Sequence, residues 1–549
     1  MMKGVVISYG DIAVGAREKF ELDASDKSYF SNLEQLKKKT SFPNYTNPCE
    51  LYSTVLDGSS IPLPSATESS SFGWWSDQIS SEDGSFDSPI VLIATSVDLF
   101  SSVGITIVFD TINNVYAKKV NIRWYKDEEI ISEKMFFPDK ATYFFENKVE
   151  FYNKLEIEFF SINMPKNRLK VHELEYGFGA EFTGRELKGV KVIQQLHPLS
   201  TEIAINTCDF ELVSLGDFEY SFQNRQEIKT YFNDELVGKT FVKDFKRKTK
   251  TQWSIKTEDY IGIMDSVQFL GGVYENAQSH DVLRSIFETA KIPYSLHYSL
   301  FYKTIQGYIP ITSCREALMQ VCFALGAVAD TSGREDVRIY PLSDGLKQEI
   351  PLNRIMQGQS VSNEAKMTAF ELTAHEYVKT DESIVLYEAE KSGGGENMFI
   401  KFSQPVHSLS ITNGSSVLDS GANYAVINAS EDCVLSGKKY EHNQIVKSKK
   451  NPLVLFSDTE NIISANNATL VSPKNVDNVL ERCYNYFVNA DTVNAKIVER
   501  RADESVKLGD LIEVATEFSG TIKGRPIKQS YSLNGGIIVK DTVVKQEMV

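Results

Sequence analysis

The sequence predicts a mainly β, multi-domain protein. Most of the chain consists of short runs in which apolar and polar residues alternate, separated by turn residues, as in β-sandwiches and β-barrels. Its 549 residues are too many for one core and correspond to about three to five domains. Hydrophobic residues make up 42% and aromatic residues 11% of the chain, which is enough apolar material for several packed cores.

We expect five segments along the chain. The region before Cys49 is rich in lysine and turn residues, whereas the clearest strand, 120–125, alternates Val120, Ile122 and Trp124 with polar neighbours. The segments are an N-terminal arm (1–48), a β-sandwich (49–180), a first β-barrel (181–275), a small α/β domain (276–355) and a second β-rich domain with one helix (356–549).

Three helices interrupt the strands. In the first, Ser279 is the expected N-cap and Pro293 ends the apolar pattern. In the second, Ser313 and Glu316 form a capping box and Gly326 ends the helix. The third is expected to have Ser472 as its cap and Pro473 as its first residue.

Charge and cysteine usage restrict the expected partners and location. The net charge is −16, which repels phosphate backbones and argues against nucleic acid as a partner. The basic run 243–250 is the local exception, and a solvated strand face explains it better than a phosphate site. The six cysteines are scattered without a CxxC pair, which fits reduced thiols in a protein assembled in a bacterial cytoplasm. We expect neither a signal peptide nor stable membrane insertion.

No sequence signature of catalysis is found. The chain has no HExxH, GxSxG, GxxxxGK[ST] or GxGxxG pattern. Its seven histidines are too dispersed to indicate a zinc site, and pairs such as His172-Glu173 and His375-Glu376 are typical of ordinary strand residues. The sequence therefore predicts no catalytic residue, no metal site and no cofactor, and the protein is not expected to be an enzyme.

Aromatic residues in the sandwich region are the remaining candidates for binding. Trp74 and Trp75 lie in a polar, Ser-rich stretch, where an aromatic ring could stack on the apolar face of a sugar. Capping the end of the sandwich core is the alternative role for this pair, and the one we favour. Tyr143 is a third candidate glycan contact, whereas the alternation around Trp124 marks that residue as part of the core.

Several sequence motifs resemble those of a known family of tail proteins. The sandwich region resembles the discoidin-like (galactose-binding-like, coagulation factor type C) module in tail proteins of Firmicutes prophages, a jelly roll. The sequence motifs that carry this resemblance are Phe-Gly-Trp-Trp-Ser at 72–76, Asp-Gly-Ser-Phe-Asp at 83–87, and the segments 105–110, 120–125 and 145–149. The runs 218–222, 259–262 and 307–318 are similar to the tail-hub region of those proteins and, more distantly, to hubs of contractile baseplates and type VI secretion spikes.

The resemblance implies a baseplate hub of two β-barrels with a small α/β insert, at the tip of a phage or phage-like tail. It also implies a homotrimer whose partners are a distal tail or tube protein, a spike or tip protein and the tape measure. Nothing after Asp510 resembles the wall hydrolase that some relatives carry. A carbohydrate-binding adhesin that contacts host cell-wall glycan is the alternative function, and a cell-wall hydrolase is the third.

Overall fold

The computed structural model confirms the mainly β, multi-domain class. Strands account for 60% and helices for 13% of the residues. The structure describes residues 5–37 and 73–546, apart from 14, 29–30, 112, 185, 214–221, 223, 233–234, 343–344, 363–365, 390–396, 413–414, 429–432, 453, 455–459, 489–491, 500–505, 519 and 533–537. The expected start of the sandwich at Cys49 lies outside these residues.

The chain forms two compact units. The small unit comprises Ser8–Glu181 and Glu219–Gln226, and the large unit comprises Met1–Ile7, Phe182–Phe218 and Glu227–Val549. The five-segment division of the sequence is finer than this and stays a prediction.

The small unit is built on one antiparallel sheet. Its strands and helix are β1 (Val5–Ile12, which begins in the large unit), α1 (Ala16–Lys19), β2 (Glu21–Ala24), β3 (Trp74–Ile79), β4 (Ser85–Phe109), β5 (Ala117–Lys126), β6 (Glu129–Phe136), β7 (Thr142–Ile162), β8 (Arg168–Glu175) and β9 (Gly177–Phe182, which ends in the large unit). The sheet order is β3-β8-β4-β7-β5-β6, and β2 pairs with β4. The long strands β4 and β7 pair with each other at both ends of their length, with bulges between. Trp124 of β5 is fully buried in the core of this unit.

The described part of the N-terminal arm packs with the strands of the small unit. Strand β2 pairs with β4 through residues 92–95. The side chain of Phe20 is fully buried and stacks on Tyr176 with ring centroids 4.4 Å apart. Leu36, in a 3-10 helix, is also fully buried. Burial of these apolar side chains stabilises the packing of the segment against the sandwich core, although most of its residues are polar.

The large unit contains the other strands and helices. Its strands up to the third helix are β10 (Leu187–Gln195), β11 (Thr207–Val213), β12 (Glu227–Phe232), β13 (Glu235–Arg247), β14 (Gln252–Glu258), β15 (Gln268–Phe269), β16 (Gly272–Gln278), β17 (Tyr294–Leu296), β18 (Thr304–Ile309) and β19 (Thr312–Ser313). Its later strands are β20 (Ala327–Asp330), β21 (Val337–Pro341), β22 (Leu346–Ile350), β23 (Ser360–Ser362), β24 (Ala369–Ala389), β25 (Asn397–Lys401), β26 (Val406–Ile411), β27 (Ser416–Ser420), β28 (Tyr424–Asn428), β29 (Cys433–Lys450), β30 (Ile462–Ala465), β31 (Thr492–Glu499), β32 (Leu511–Ala515), β33 (Thr521–Ser532) and β34 (Ile538–Gln546). Its helices are α2 (Tyr260–Asp265), α3 (Ser279–Ala290), α4 (Cys314–Leu325) and α5 (Val476–Phe487).

One large sheet joins strands that are far apart in the sequence. Its order includes β31-β34-β33-β10-β11-β14-β13-β12, so the first β block and the C-terminal block are neighbours. The link is antiparallel pairing of β10 with β33, for example Val192 opposite Tyr531. A second sheet, β26-β29-β24-β30, packs against α5.

All three predicted helices are present, and two of them, α3 and α5, differ from the prediction at their N-termini. Helix α4 is capped as predicted, because the Ser313 side chain accepts a hydrogen bond from the N–H of Glu316 and Gly326 adopts a left-handed conformation. Helix α3 contains Ser279 as its first residue, but the Ser279 hydroxyl donates to the carbonyl of Leu300 instead of capping the helix. Helix α5 begins at Val476, three residues later than predicted, because residues 472–475 form a turn.

Candidate interaction surface

The two candidate glycan-binding tryptophans are inside the small unit. Trp74 is 0% exposed and Trp75 is 1% exposed. The Trp74 indole N–H donates to the carbonyl of Asp26 at 2.9 Å, and its ring lies 5.8 Å from that of Phe159. A sugar needs an open aromatic face, so the burial of both rings corrects the expectation that this pair contacts a glycan. Trp74 instead packs in the core of the small unit.

Strand β8 explains why polar residues surround Trp75. Every residue of β8 is buried, including Lys170 and His172. The Lys170 ammonium lies 4.3 Å from the centre of the Trp75 ring and 3.6 Å from the carboxylate of Asp110. Burial lowers the pKa of His172, and the nearby Asp110 carboxylate opposes that shift. The Asp110 carboxylate compensates the charge of the buried Lys170 ammonium, which would be strongly destabilising if left alone.

Tyr143 does not join the tryptophan pair. It lies on β7 opposite Ile107 of β4, and it is partly buried against the core beside Phe145, at a centroid distance of 4.9 Å. Strands β8 and β4 lie between β7 and the tryptophan-bearing strand β3. At about 4.8 Å per strand, the three steps from β3 to β7 separate these residues by about 14 Å. The three candidates therefore form no common surface.

An exposed aromatic loop in the large unit is the stronger candidate surface. We call residues 297–303, together with His280 of α3, the aromatic loop. Tyr298 is 80% exposed, Tyr302 is 79% exposed and Phe301 is 37% exposed. The His280 ring stacks on Phe301 at 5.3 Å, and the His297 ring lies 4.4 Å from that of Tyr298. Aromatic side chains with this exposure are typical of protein interaction sites.

Hydrogen bonds hold the backbone of the aromatic loop in place. The buried Ser279 hydroxyl donates to the carbonyls of Leu300 and Phe301, and the Ser279 N–H donates to Lys303 at 2.8 Å. His280 Nδ1 donates to the Phe301 carbonyl at 2.9 Å. Leu300 is buried in the core of the large unit and anchors the middle of the loop. The loop is therefore ordered before it binds anything, which lowers the entropy cost of binding.

Sequence reasoning missed the aromatic loop. The available signal was the density of rings in the segment His-Tyr-Ser-Leu-Phe-Tyr at 297–302. Alternation and turn residues do not reveal which of these rings are exposed. Only the contact with α3 shows that Leu300 points inward while Tyr298 and Tyr302 point outward.

Neighbouring acids pair with part of the basic run 243–250, which begins on β13. Lys243 pairs with Glu258 at 2.6 Å, and Lys248 pairs with Glu211. The Arg247 guanidinium lies over the Trp253 ring at 5.0 Å. These partners support the interpretation of the run as a solvated strand face.

A small cavity lies in the large unit beside the large sheet, and residues of β10–β13 with Asp259 and Thr331 line it. Asn206 donates to the Thr331 hydroxyl at 2.9 Å, and Thr331 donates to the carboxylate of Asp259 at 2.6 Å. Burial raises the pKa of Asp259 to about 6, and the Thr331 hydrogen bond opposes this shift. Cys208 also lines the cavity, and burial raises the pKa of its thiol to about 12. A protonated, enclosed thiol is a poor nucleophile, so this cluster has the character of a structural network.

Histidines and carboxylates show no metal-binding arrangement in the described part of the chain. No group of three or more His, Cys, Asp or Glu side chains there is placed to hold a metal ion. His375 Nδ1 and His442 Nε2 are 3.0 Å apart, while His375 Nε2 donates to the carbonyl of Asn466. Burial lowers the pKa of both imidazoles. Among the described residues, no helix has the length and apolar character to cross a bilayer.

Comparison with solved structures finds tail proteins. The 43 kDa tail protein of prophage MuSo2 from Shewanella oneidensis is 10% identical, with a TM-score of 0.42, and the match covers 67% of this chain and 96% of that chain. A tail protein from Neisseria meningitidis MC58 is 8% identical, with a TM-score of 0.42 and coverage of 67% and 94%. Prophage tail protein gp18 from Listeria monocytogenes EGD-e is 10% identical, with a TM-score of 0.39 and coverage of 67% and 91%. No protein-family model and no curated protein matches the chain.

Proposed function

We propose that this protein is a structural component of a phage or phage-like tail tip, a hub that joins the tail tube to the host-facing end. The observation that carries the proposal is the aromatic loop, a rigid surface that suits stable contact with a neighbouring protein. The proposal also rests on the hub-like motifs at 259–262 and 307–318, which include the first part of α2 and the first part of α4. In this role the protein binds its neighbours and needs no catalytic group.

The aromatic loop suits a protein partner better than a small ligand. Small-molecule sites are concave and cover most of their ligand. Tyr298 and Tyr302 are about four-fifths exposed, so they project from the surface and do not line a pocket. Projecting tyrosines insert into a complementary groove and contribute large contact area at a low cost in side-chain entropy. The expected partner is a neighbouring tail protein, such as the tube, spike or tape-measure protein.

We further propose that three copies form a closed ring. The large sheet joins the first β block and the C-terminal block of one chain, and its surfaces would meet those of the neighbouring copies. A cyclic trimer would use heterologous contacts between them. Native mass spectrometry of the full chain tests this, and a monomer in the presence of its tail partners would refute the ring.

Localisation on assembled particles tests the tail-tip role. Labelling particles with an antibody to this chain should mark the tip of the tail in electron micrographs. A Tyr298→Ser/Tyr302→Ser double variant should fold normally but fail to enter particles, because it removes both projecting rings. Phe137→Ser is the matched control, since Phe137 is 67% exposed on the small unit and should be dispensable. Label distributed elsewhere, or normal incorporation of the double variant, would contradict the proposal.

The adhesin function is the second candidate, although two of its three proposed contact residues are buried. Trp74 and Trp75 are buried, so glycan binding by the sandwich would need a different surface. A glycan-binding assay on the full chain distinguishes the two functions. Binding that survives Tyr298→Ser/Tyr302→Ser, in a protein absent from tail tips, would favour the adhesin.

A further inference from the structure

Two histidines on neighbouring strands of the large unit share a hydrogen bond. His375 of β24 is 3% exposed, whereas His442 of β29 lies at the surface. His375 Nδ1 is 3.0 Å from His442 Nε2, and the planes of the two rings differ by only 13°. Nearly coplanar rings allow the N–H of one imidazole to point along the lone pair of the other. We call these two residues the histidine pair.

The carbonyl of Asn466 fixes which nitrogens of the neutral pair carry hydrogen. It lies 2.8 Å from His375 Nε2 and can only accept, so Nε2 carries a hydrogen. Nδ1 of a neutral His375 is then an acceptor, and Nε2 of His442 is the donor to it. The uncharged pair therefore has one arrangement.

The histidine pair keeps its hydrogen bond with one added proton but not with two. With one added proton, a single imidazole is cationic and the other still offers a lone pair to it. A cationic imidazole carries hydrogen on both of its nitrogens, so two added protons place hydrogens on both facing nitrogens. The hydrogen bond is then lost, and two positive charges lie close together.

The surroundings of the pair disfavour its charged forms. Burial lowers the pKa of His375, the hydrogen bond to Asn466 opposes this shift, and His442 adds to it. Burial also lowers the pKa of His442. The Tyr377 ring stacks on the His442 ring at 4.4 Å, and the Tyr308 ring of β18 lies 4.9 Å from that of Tyr377. Neutral aromatic groups therefore surround the outer imidazole.

No carboxylate among the described residues compensates the pair. Residues 466–471 contain no ionisable side chain, and Tyr308 is the one ionisable residue of β18. Strand side chains alternate, so the charged residues on the same face of the sheet as the pair are Glu371, Lys379, Lys438 and Lys450. Lys379 pairs with Glu275 of β16 at 2.9 Å, and Lys438 pairs with Asp381. None of these charges shifts the pKa of either imidazole.

His375 holds both ends of the segment that leads to α5. We call residues 466–471 the connecting segment. The His375 ring donates to the carbonyl of Asn466, and the His375 backbone N–H donates to that of Val471 at 2.7 Å. Leu470 and Val471 are buried in the core of the large unit, and α5 begins at Val476. The position of the His375 ring is therefore linked to the path of the chain into α5.

We propose that the histidine pair is an acid-sensitive switch that holds the connecting segment at neutral pH and releases it when both imidazoles are protonated. Turning His442 towards solvent separates the two charges, but it leaves a cationic His375 buried without a carboxylate. Such a buried charge is strongly destabilising. Local opening of the connecting segment lets water reach His375, so opening becomes more frequent.

The direction of the pH dependence follows from the lowered pKa values. The closed segment has its full stability above the ordinary histidine value of 6.5, and it loses stability as pH falls through the lower values of the folded chain. This property goes beyond the proposed tail role and does not rest on it.

Hydrogen exchange of the full chain, followed by mass spectrometry, tests the switch. Dividing each exchange rate by that of the unprotected amide at the same pH gives the opening equilibrium. For peptides covering 466–475, this equilibrium should rise by about tenfold or more between pH 7 and pH 5, because opening is linked to proton uptake. Peptides of the large sheet should change much less.

Glutamine variants separate the two imidazoles. His375→Gln should remove most of the rise, because the glutamine amide can donate to the Asn466 carbonyl but binds no proton. His442→Gln should reduce the rise, since a protonated His375 then meets a neutral acceptor. His407→Gln is the matched control, because His407 lies in the same unit and bonds to the Thr380 carbonyl instead of the pair. Circular dichroism checks that each variant folds.

Three results would overturn the inference. The first is a wild-type opening equilibrium for 466–475 that does not change between pH 7 and pH 5. The second is a rise in both pair variants equal to that of the wild type. The third is an equal rise in every peptide of the large unit, which would show general acid unfolding instead of a local switch.

Discussion

Two buried tryptophans of the small unit differ in one hydrogen bond. This difference predicts how much stability the protein loses when each is replaced by phenylalanine. Trp74 and Trp124 are both 0% exposed and belong to one core cluster. The Trp74 indole N–H donates to the Asp26 carbonyl at 2.9 Å. The Trp124 indole N–H has no hydrogen-bond partner among the described residues. The buried N–H of Trp124 therefore lowers the stability of the folded state, whereas the hydrogen-bonded N–H of Trp74 does not.

The structure sets the expected magnitudes. Trp124→Ala should lower the free energy of unfolding by about 3–5 kcal/mol, because it leaves a large cavity. Trp124→Phe creates a smaller cavity, and it removes an unsatisfied donor that costs about 1–3 kcal/mol, so the net change should lie within about 1 kcal/mol of zero. Trp74→Phe creates a similar cavity and also breaks a hydrogen bond, so it should cost about 2–3 kcal/mol.

Denaturant unfolding of the full chain measures these differences. Three of the four tryptophans, Trp74, Trp75 and Trp124, belong to the small unit, so fluorescence mainly follows this unit. The comparison requires equal m-values, which show that each variant exposes the same surface on unfolding. If Trp124→Phe costs as much as Trp74→Phe, the reasoning from the unpaired indole is wrong. A loss below about 1 kcal/mol for Trp124→Ala would place that ring outside the core.

Three further predictions concern the large unit. Burial raises the pKa of Asp259 from an ordinary value of 3.8 to about 6 in the folded protein. The folded state therefore has its full stability below about pH 4 and loses stability as pH rises through 6. Asp259→Asn should remove this pH dependence of the free energy of unfolding, worth about 3 kcal/mol, from unfolding curves measured between pH 4 and 7. Gly307→Ala should lower the free energy of unfolding by about 1–3 kcal/mol, because Gly307 has a φ of +132° and an added Cβ would lie 2.3 Å from the Thr469 carbonyl oxygen. An unchanged melting temperature would show that the backbone can shift to accept the Cβ. The five described cysteines, Cys208, Cys314, Cys322, Cys433 and Cys483, are buried, so a thiol reagent should modify them only after unfolding, and rapid labelling of the native chain at Cys208 would contradict its enclosure.

Local patterns in the sequence determined the fold class and several elements. Alternation identified the strand around Trp124 and its buried face, because side chains of a strand point to opposite sides at every second residue. Ser313 and Gly326 marked both ends of α4, because capping depends on a few neighbouring residues. The same local information did not identify the role of Ser279, whose hydroxyl bonds to carbonyls of a loop 21 and 22 residues away in sequence.

Tertiary structure decided which surfaces are available for binding. Trp74 and Trp75 have the composition of a sugar-binding stretch, but pairing of β3 with β8 buries them. Tyr298 and Tyr302 have no distinctive spacing, yet the anchoring of Leu300 and Ser279 leaves them projecting. The sequence specified strands and caps because those depend on near neighbours. Exposure depends on which distant segments meet, and only the folded chain determines that.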